Sequence, residues 1–169
     1  MEGPSRTAAL TAVARALHRE EPPPWVLDDL LAFDLAGVNG EEVRDQLVER
    51  LRRPSLLPFI RWVCVRARLP EDVVEDAMLS GVRQYVVLGA GFDTFAYRRR
   101  DLMDRGLRVF EVDHPATQEW KRERLRELGI DLPSGWSTRR SISSVKPWSA
   151  GLRRLGSTFR CLQCSLGSG

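Results

Sequence analysis

The N-terminal half of the chain carries apolar side chains at the three-to-four-residue spacing of amphipathic helices. Ser5 is placed to cap the first helix, and the prolines at 22–24 end it because proline cannot continue a helical hydrogen-bond ladder. Pro70, which is followed by acidic residues, predicts the start of a separate last helix. We therefore expect an N-terminal helical extension over residues 1–80. The predicted helices cover residues 7–20, 26–35, 41–53, 56–68 and 71–79.

After this extension the pattern changes to short β-branched and apolar runs that are typical of buried strands. Residues 84–88 and 108–113 are the two predicted strands. Residues 101–105 and 117–128 are predicted helices that follow them. The alternation of strand and helix predicts an α/β fold, with a partial cofactor-binding domain over residues 81–135 that begins a doubly wound parallel sheet.

The first predicted strand runs into the turn Gly89-Ala90-Gly91, and Asp113 follows 22 residues beyond Gly91, at the end of the second strand. The first glycine lets the chain turn sharply, and the second lets the backbone approach a ligand closely. An acid after the second strand can accept hydrogen bonds from ribose hydroxyls. The combination predicts a nucleotide-binding βαβ unit, and an ordinary strand-to-helix turn is the alternative.

The residue three positions after Gly91 separates two cofactors. A dinucleotide site has a third glycine there, whereas this chain has Thr94. Phe92 and Asp93 also crowd the place where a pyrophosphate would meet the start of the helix. S-adenosyl-L-methionine has no pyrophosphate, so the pattern favours it over NAD.

Three segments of the chain resemble a known family. Residues 81–98, which include Leu88-Gly89-Ala90-Gly91-Phe92-Asp93-Thr94, resemble the signature of the leucine carboxyl methyltransferase-like proteins, in particular their actinobacterial branch. Residues 109–121 are similar to the second motif of that family. Residues 5–16 resemble its N-terminal helix, so the likeness extends from residue 5 to about residue 130.

The resemblance implies a Rossmann-like class I methyltransferase fold with S-adenosyl-L-methionine as the cofactor. It places the glycine turn under the methionine part of the cofactor and Asp113 on the ribose. Glu111 lies two positions earlier on the same face of the strand, and a satisfied acid at the strand edge is its alternative. Arg66 is implied as the partner of the cofactor's carboxylate, although Arg68 fits the register equally and a solvated arginine is the alternative. The implied cofactor-binding residues are Gly89, Ala90, Gly91, Asp113, Glu111 and Arg66.

Methyl transfer from a sulfonium mainly requires that an acceptor oxygen is aligned with the methyl carbon and that water is excluded. The sequence shows no Ser-His-Asp set and no metal cluster, and His114 is predicted to be a turn residue rather than a base. Cys161 and Cys164 have the spacing of half a zinc site or of a redox pair, and the sequence contains no second half of such a zinc site. We expect no metal, no identifiable catalytic residue, and a small-molecule or carboxylate-bearing substrate that is methylated on a carboxylate or hydroxyl oxygen.

The composition is that of a globular protein, with 43% hydrophobic and 29% charged residues. No apolar run approaches the roughly 20 residues that span a bilayer, and no signal-peptide core follows Met1. Three cysteines, one of them remote from the other two, do not make a disulfide framework. We therefore expect a cytoplasmic protein without a membrane partner, and the sequence indicates no oligomeric state.

The net charge of +3 comes from the C-terminal segment. Six of the 26 Lys and Arg residues lie in residues 136–169, which contain no Asp or Glu, so residues 1–135 carry a net charge of −3. A nucleic-acid surface usually places its basic residues on the folded domain and adds aromatic stacking residues. The distribution therefore speaks against a nucleic-acid partner.

After Gly135 the chain loses its acidic residues, its periodicity and its resemblance to the family together. Codons permitted from Trp136 onward, read in another frame, yield segments similar to the family's next two, so we interpret residues 136–169 as an out-of-frame, disordered tail. Ser141-Ile142-Ser143 then stands where the resemblance implies a carboxylate near the adenine. We expect a truncated, inactive remnant of a methyltransferase. The alternatives are an NAD-dependent oxidoreductase and a non-enzymatic protein that binds through its basic tail.

Overall fold

The computed structural model describes residues 5–37 and 41–140 of the 169-residue chain. A group of N-terminal helices precedes a parallel sheet and its connecting helices. The strands are β1 (Gln84–Leu88), β2 (Arg108–Asp113) and β3 (Trp136–Arg140). The helices are α1 (Arg6–His18), α2 (Ala32–Ala36), α3 (Glu41–Leu51), α4 (Leu57–Leu79, preceded by a 3₁₀ turn at Pro54–Leu56), α5 (Phe95–Arg98), α6 (Arg100–Asp104) and α7 (Pro115–Glu127).

The three strands form a parallel sheet in the order β1-β2-β3. Tyr85 lies opposite Val109, which in turn lies opposite Trp136, so these three residues share one face of the sheet. Parallel neighbours need a crossover connection, which α5 and α6 supply between β1 and β2 and α7 supplies between β2 and β3. Because the strands run in one direction, their carboxyl ends meet at one edge of the sheet.

The helical extension and the sheet share one hydrophobic core. Ala12 and Ala14 of α1 are fully buried, and such small side chains let neighbouring helices approach closely. Val13 of α1 belongs to the same cluster of buried side chains as Val87 of β1 and Val109 of β2. The N-terminal helices are therefore part of the support of the sheet.

The predicted α/β class, a helical extension followed by an incomplete Rossmann-like sheet, is confirmed. Both predicted strands have the predicted bounds, 84–88 and 108–113. The Ser5 hydroxyl caps α1 by accepting a hydrogen bond from the Ala8 N–H at 3.4 Å. Helix α7 begins at Pro115, two residues before the predicted start, and the imidazole of His114 caps it.

The helix predicted over residues 26–35 is wrong for its first part, because α2 spans only Ala32–Ala36. Asp29 is 1% exposed, and its Oδ2 accepts a hydrogen bond from Nε of Arg15 at 2.8 Å. The Val26 N–H donates to Nε2 of His18 at 3.0 Å. Side chains of α1 thus bind the polar groups of this segment, and these tertiary contacts override its helical spacing.

The break predicted at Pro70 is absent, and α4 continues through it. Proline removes one backbone donor and crowds the preceding turn, which costs about 3 kcal/mol in a helix interior. Val63 and Val74, on either side of the proline, are both buried in the common core. Packing of the two halves of α4 against the same core offsets the proline penalty, because tertiary burial contributes more to helix stability than local propensity.

Residues 136–140 form β3, so the expectation of a disordered tail from residue 136 onward is wrong for these residues. The Val109 N–H donates to the carbonyl of Gly135 at 2.8 Å, and the parallel ladder continues from there along β3. A strand ladder uses main-chain groups, which any residue except proline supplies, so a segment without a strand-like pattern can pair. Residues 141–169 of the predicted tail lie outside the described residues.

Among the described residues, no helix combines the length and the apolar composition that crossing a bilayer requires. These residues also contain no cluster of three His, Cys, Asp or Glu side chains that could hold a metal ion. Cys64 of α4 is buried, and burial raises the pKa of its thiol to about 12, so the thiol is uncharged at neutral pH. Cys161 and Cys164 lie outside the described residues.

We predict that Pro70→Ala stabilises the protein, because alanine restores a backbone donor inside α4 and removes the crowding of the preceding turn. The free energy of unfolding should rise by about 1–2 kcal/mol, since the greater entropy of the unfolded alanine chain offsets part of the gain. Urea denaturation measures this difference. Pro58→Ala is the matched control, because Pro58 lies in the first turn of α4, where proline is well tolerated. An equal gain for both variants would contradict the prediction.

Candidate cofactor site

The predicted glycine turn lies at the carboxyl ends of β1 and β2, the edge at which open parallel α/β sheets usually bind ligands. The N–H groups of Gly89 and Ala90 both donate to the carbonyl of Val112, at 2.8 and 3.2 Å. These bonds tie the turn to the end of β2. Gly89 is exposed and Gly91 is half-buried, so the backbone of the turn reaches the surface.

Asp113 lies next to the glycine turn, as the sequence spacing predicts. Its Oδ2 accepts a hydrogen bond from the Gly91 N–H at 2.5 Å, and its Oδ1 accepts one from the His114 N–H at 2.6 Å. Each carboxylate oxygen can accept a second hydrogen bond. The half-buried Asp113 can therefore hold the turn and accept from a ligand hydroxyl at the same time.

Both glycines of the turn adopt left-handed backbone conformations, with φ of +64° at Gly89 and +49° at Gly91. A Cβ on Gly89 would meet nothing within 4 Å, whereas a Cβ on Gly91 would lie 2.9 Å from the Cβ of Ala8 in α1. The sequence predicts that the second glycine, Gly91, lets the backbone approach a ligand. In the structure α1 makes the close approach at Gly91, and the open side of the turn is at Gly89.

Glu111 forms a buried ion pair with Lys121 of α7. The distance from Oε2 to Nζ is 2.7 Å, and both side chains are 2% exposed. The Lys121 ammonium also donates to the carbonyl of Asp93 at 2.5 Å, which links α7 to the segment after the glycine turn. Burial raises the pKa of Glu111, and the positive charge of Lys121 opposes that rise. Glu111 thus has a partner inside the protein, and its contact with a cofactor stays a prediction.

A second buried ion pair holds the same segment from the N-terminal side. Arg15 of α1 is 6% exposed, and its Nε donates to Oδ2 of Asp29. Its Nη2 donates to the carbonyl of Phe92 at 2.7 Å. Since Lys121 binds the carbonyl of Asp93, two successive carbonyls after the glycine turn accept from buried cations. Such charge-assisted hydrogen bonds are stronger than neutral ones.

Thr94 connects the Arg15–Asp29 pair to a third, half-buried ion pair. Its hydroxyl donates to Oδ2 of Asp29 at 2.6 Å and accepts from Nε of Arg98 at 2.8 Å. Arg98 also pairs with Glu71 of α4, where burial raises the pKa of the carboxyl group. In the sequence, Thr94 only distinguishes an S-adenosyl-L-methionine site from an NAD site. In the structure it lies at the centre of a polar network that joins α1, α4 and the segment after the turn.

The two arginines proposed for the cofactor's carboxylate lie on the exposed side of α4. The guanidinium of Arg66 lies 5.6 Å from the centre of the Trp62 ring, and Arg68 forms an ion pair with Asp72. Within residues 5–37 and 41–140, no hydrogen bond or ion pair joins either arginine to the glycine turn. The structure therefore brings Asp113 to the turn but does not bring Arg66 there, and the role of Arg66 stays a prediction.

Arg15 and Asp29 are parts of this site that the sequence pattern does not predict. Arg15 follows Ala8 and Ala12 at helical spacing, so a charged residue on the buried face of α1 was a usable signal. Asp29 gave no comparable signal, because it lay within a predicted helix. At the start of α5, Oδ1 of Asp93 accepts a hydrogen bond from the Phe95 N–H at 2.8 Å.

Comparison with known proteins identifies the family of the chain. The sequence model of the family described as leucine carboxyl methyltransferase matches residues 8–157. The chain belongs to the leucine carboxyl methyltransferase family. The resemblance predicted from the glycine-turn and Asp113 motifs is thereby confirmed.

Individual relatives agree with this family. The "Putative S-adenosyl-L-methionine-dependent methyltransferase YktD" of Bacillus subtilis is 35% identical over 152 residues, which cover 76% of this chain and 49% of the relative. A protein of Streptomyces coelicolor with the same description, SCO7813, is 38% identical over 145 residues (77% of this chain, 50% of the relative). Another from Mycolicibacterium paratuberculosis is 35% identical over 156 residues (89% and 50%).

The chain spans about half the length of these curated relatives. The family match runs past Gly135 to residue 157, so the likeness to the family does not stop where the sequence predicted. The reading frame of residues 136–169 stays a prediction, which the nucleotide sequence around the codon of Gly135 tests.

We predict that Gly91→Ala destabilises the protein by about 2–4 kcal/mol. About 1–2 kcal/mol comes from the left-handed backbone conformation and the rest from overpacking against Ala8. Gly129→Ala is the control for backbone strain alone, since Gly129 has φ of +66° and open space around it. The double variant Ala8→Gly/Gly91→Ala should regain part of the free energy of unfolding that Gly91→Ala loses, as measured by urea denaturation. A loss at Gly91 equal to that at Gly129 would exclude the steric part.

We predict that Lys121→Met destabilises the protein by about 3–5 kcal/mol at neutral pH, because it leaves Glu111 buried without its counter-charge. Without Lys121, the pKa of Glu111 in the folded state rises further above its unfolded value. The folded variant then binds a proton more tightly than the unfolded chain, so stability increases as the pH is lowered towards 5 and falls as the pH rises through the raised pKa.

Urea denaturation between about pH 5 and pH 8 measures this effect against the unmodified chain. The control is the double variant Lys121→Met/Glu111→Gln, which has no titrating group in the pair and should lose the extra pH dependence. If Lys121→Met and the unmodified chain show the same dependence on pH, the account of Glu111 is wrong.

Proposed function

We propose that the chain carries the cofactor-binding part of an S-adenosyl-L-methionine-dependent methyltransferase that transfers a methyl group to a carboxylate or hydroxyl oxygen. Membership of the leucine carboxyl methyltransferase family and the descriptions of the relatives support the cofactor and the reaction class. The carboxylate acceptor follows the description of the family, and the hydroxyl acceptor is the related alternative.

One observation carries the proposal most directly: Oδ2 of Asp113 lies 2.5 Å from the Gly91 N–H. A glycine turn after the first strand and an acid after the second form a nucleoside site only if the fold brings them together. Here the two features meet at the carboxyl ends of adjacent parallel strands.

The residues at this edge fit a cofactor without a pyrophosphate group. The open side of Gly89 leaves room beside the backbone, and Thr94 is committed to hydrogen bonds within the protein rather than to a phosphate. S-adenosyl-L-methionine supplies an electrophilic methyl group on a sulfonium. In the proposed complex Asp113 accepts from the ribose hydroxyls, and Arg66 forms a bidentate pair with the carboxylate.

The charges around the turn suit a cationic cofactor. The buried Arg15 and Lys121 and the half-buried Arg98 are each paired with a carboxylate, so these three side chains present no uncompensated positive charge to a sulfonium. Asp113 adds a carboxylate at the edge of the turn. Glu111 contributes to the proposed site mainly by holding Lys121, which binds the carbonyl of Asp93.

The proposed partner is a small-molecule or carboxylate-bearing substrate, and the proposed location is the cytoplasm. We also propose that the 169-residue chain alone does not turn over, because Ser141-Ile142-Ser143 stands where the family resemblance implies a carboxylate near the adenine. Residues 141–143 lie outside the described residues. A methyl-transfer assay with S-adenosyl-L-methionine and carboxylate or hydroxyl acceptors tests this point, and measurable turnover would contradict it.

Isothermal titration calorimetry of the 169-residue chain tests the cofactor. We expect S-adenosylhomocysteine to bind and NAD not to bind. Binding of NAD alone would favour an oxidoreductase instead. Salt-dependent binding to DNA that disappears when the chain ends at Arg140 would favour a function of the basic C-terminal segment.

We predict that Asp113→Asn raises the Kd for S-adenosylhomocysteine about tenfold or more, because the amide keeps only one acceptor oxygen for the Gly91 N–H and the ribose. Calorimetry measures the change in Kd. Asp101→Asn is the matched control, since Asp101 pairs with Arg99 at the surface of α6. Equal Kd values for the two variants would remove Asp113 from the cofactor site.

A further inference from the structure

The segment after the glycine turn is held by one peptide plane in particular. The carbonyl of Phe92 accepts from Nη2 of Arg15, and the N–H of the same peptide unit, that of Asp93, donates to the carbonyl of Ala90 at 2.7 Å. A peptide unit is planar and rotates as one body. A side chain that fixes the Phe92 carbonyl therefore also fixes the hydrogen bond that closes the glycine turn.

From this geometry we propose that Arg15 is a positioning residue of the glycine turn. Through Arg15, α1 and the glycine turn become ordered together. Only the ligand-binding part of its test rests on the proposed function. Arg15 acts through the Phe92 carbonyl and does not need to touch the cofactor. Phe92 is 1% exposed, so bulk water cannot readily replace the guanidinium of Arg15 as the hydrogen-bond donor to the Phe92 carbonyl.

The guanidinium of Arg15 is itself held in a single orientation. Its Nε donates to Oδ2 of Asp29 while its Nη2 donates to Phe92, so two different nitrogens of one planar group bind two partners. Asp29 is 1% exposed and is held in turn by the Thr94 hydroxyl. The position of the guanidinium is thus set by Asp29 and by the Phe92 carbonyl together.

A second contact ties α1 to the turn independently of charge. The Cβ of Ala8 packs against Gly91 so closely that a Cβ there would lie 2.9 Å away. Ala8 and Arg15 are seven residues apart, so both lie on the same face of α1. One helix face therefore contacts the turn at its second glycine and at the carbonyl that follows it.

Arg15→Lys tests the inference, because lysine keeps the positive charge opposite Asp29 but has one nitrogen, which cannot reproduce the fixed two-armed contact. Arg19→Lys is the matched control: the residue lies one turn later and pairs with Asp28 through Nε at the surface. The first readout needs no ligand. Amide hydrogen exchange, followed by NMR, compares the Asp93 N–H with the Val109 N–H, which donates to Gly135 within the sheet.

We expect Arg15→Lys to speed exchange at Asp93 about tenfold and to leave Val109 unchanged, with no change at either amide in Arg19→Lys. The Kd for S-adenosylhomocysteine should rise by a similar factor in Arg15→Lys only. Equal acceleration at Asp93 and Val109 would show that Arg15 merely stabilises the whole fold, and no acceleration would show that it does not hold the turn; either result overturns the inference.

The two proposals fail in distinguishable ways. If the unmodified chain does not bind S-adenosylhomocysteine, the proposed function fails, while the exchange at Asp93 still decides the role of Arg15. If Arg15→Lys does not fold, Thr94→Val against Thr94→Ser applies the same test, because valine loses the hydroxyl that donates to Asp29 and serine keeps it. Selective acceleration at Asp93 in the valine variant alone supports the inference, and its absence overturns it.

Discussion

Two buried ion pairs anchor the backbone that follows the glycine turn. Arg15 binds the carbonyl of Phe92 and Lys121 binds the carbonyl of Asp93, and these cations come from helices on opposite sides of the segment in the sequence. A buried charge without a partner costs several kcal/mol, so each cation requires its own carboxylate in a defined place. The position of Asp29, the burial of Glu111 and the packing of α1 against the turn all follow from this requirement.

Much of the fold could be predicted, because its strands and turn depend on local sequence. The run of residues 84–88 is apolar and ends in glycines that tolerate the left-handed backbone, and the structure places β1 and its turn there. The errors have tertiary causes. Pro70 remains within α4 because both halves of that helix pack into one core, and residues 26–31 leave the predicted helix because Asp29 pairs with Arg15. The pairing of β3 depends on main-chain groups that the composition does not reveal.

The candidate site was predictable to a similar extent. The spacing of Gly91 and Asp113 is a local signal that a βαβ unit converts into proximity, and the two groups are hydrogen-bonded. The network around Thr94 was not predictable from spacing, because its hydrogen bond to Asp29 joins residues that are 65 positions apart along the chain. Two acids on one face of β2 have different contacts. Asp113 reaches the turn at the end of the strand, whereas Glu111, two residues earlier, is paired with Lys121 inside the protein.

The long sequence separation between Arg15 and its carbonyl partner also has a consequence for the folding of the chain during its synthesis on the ribosome. Arg15 and Phe92 are separated by 77 positions, so α1 emerges long before the carbonyl that it binds has been synthesised. Until then the helix face that carries Ala8 and Arg15 has no sheet to cover it, whereas Asp29, the carboxylate partner of Arg15, follows after only 14 positions. The partner that lies 14 positions away is thus synthesised well before the partner that lies 77 positions away, so the contact of Arg15 with the turn can form only after the first strand has followed.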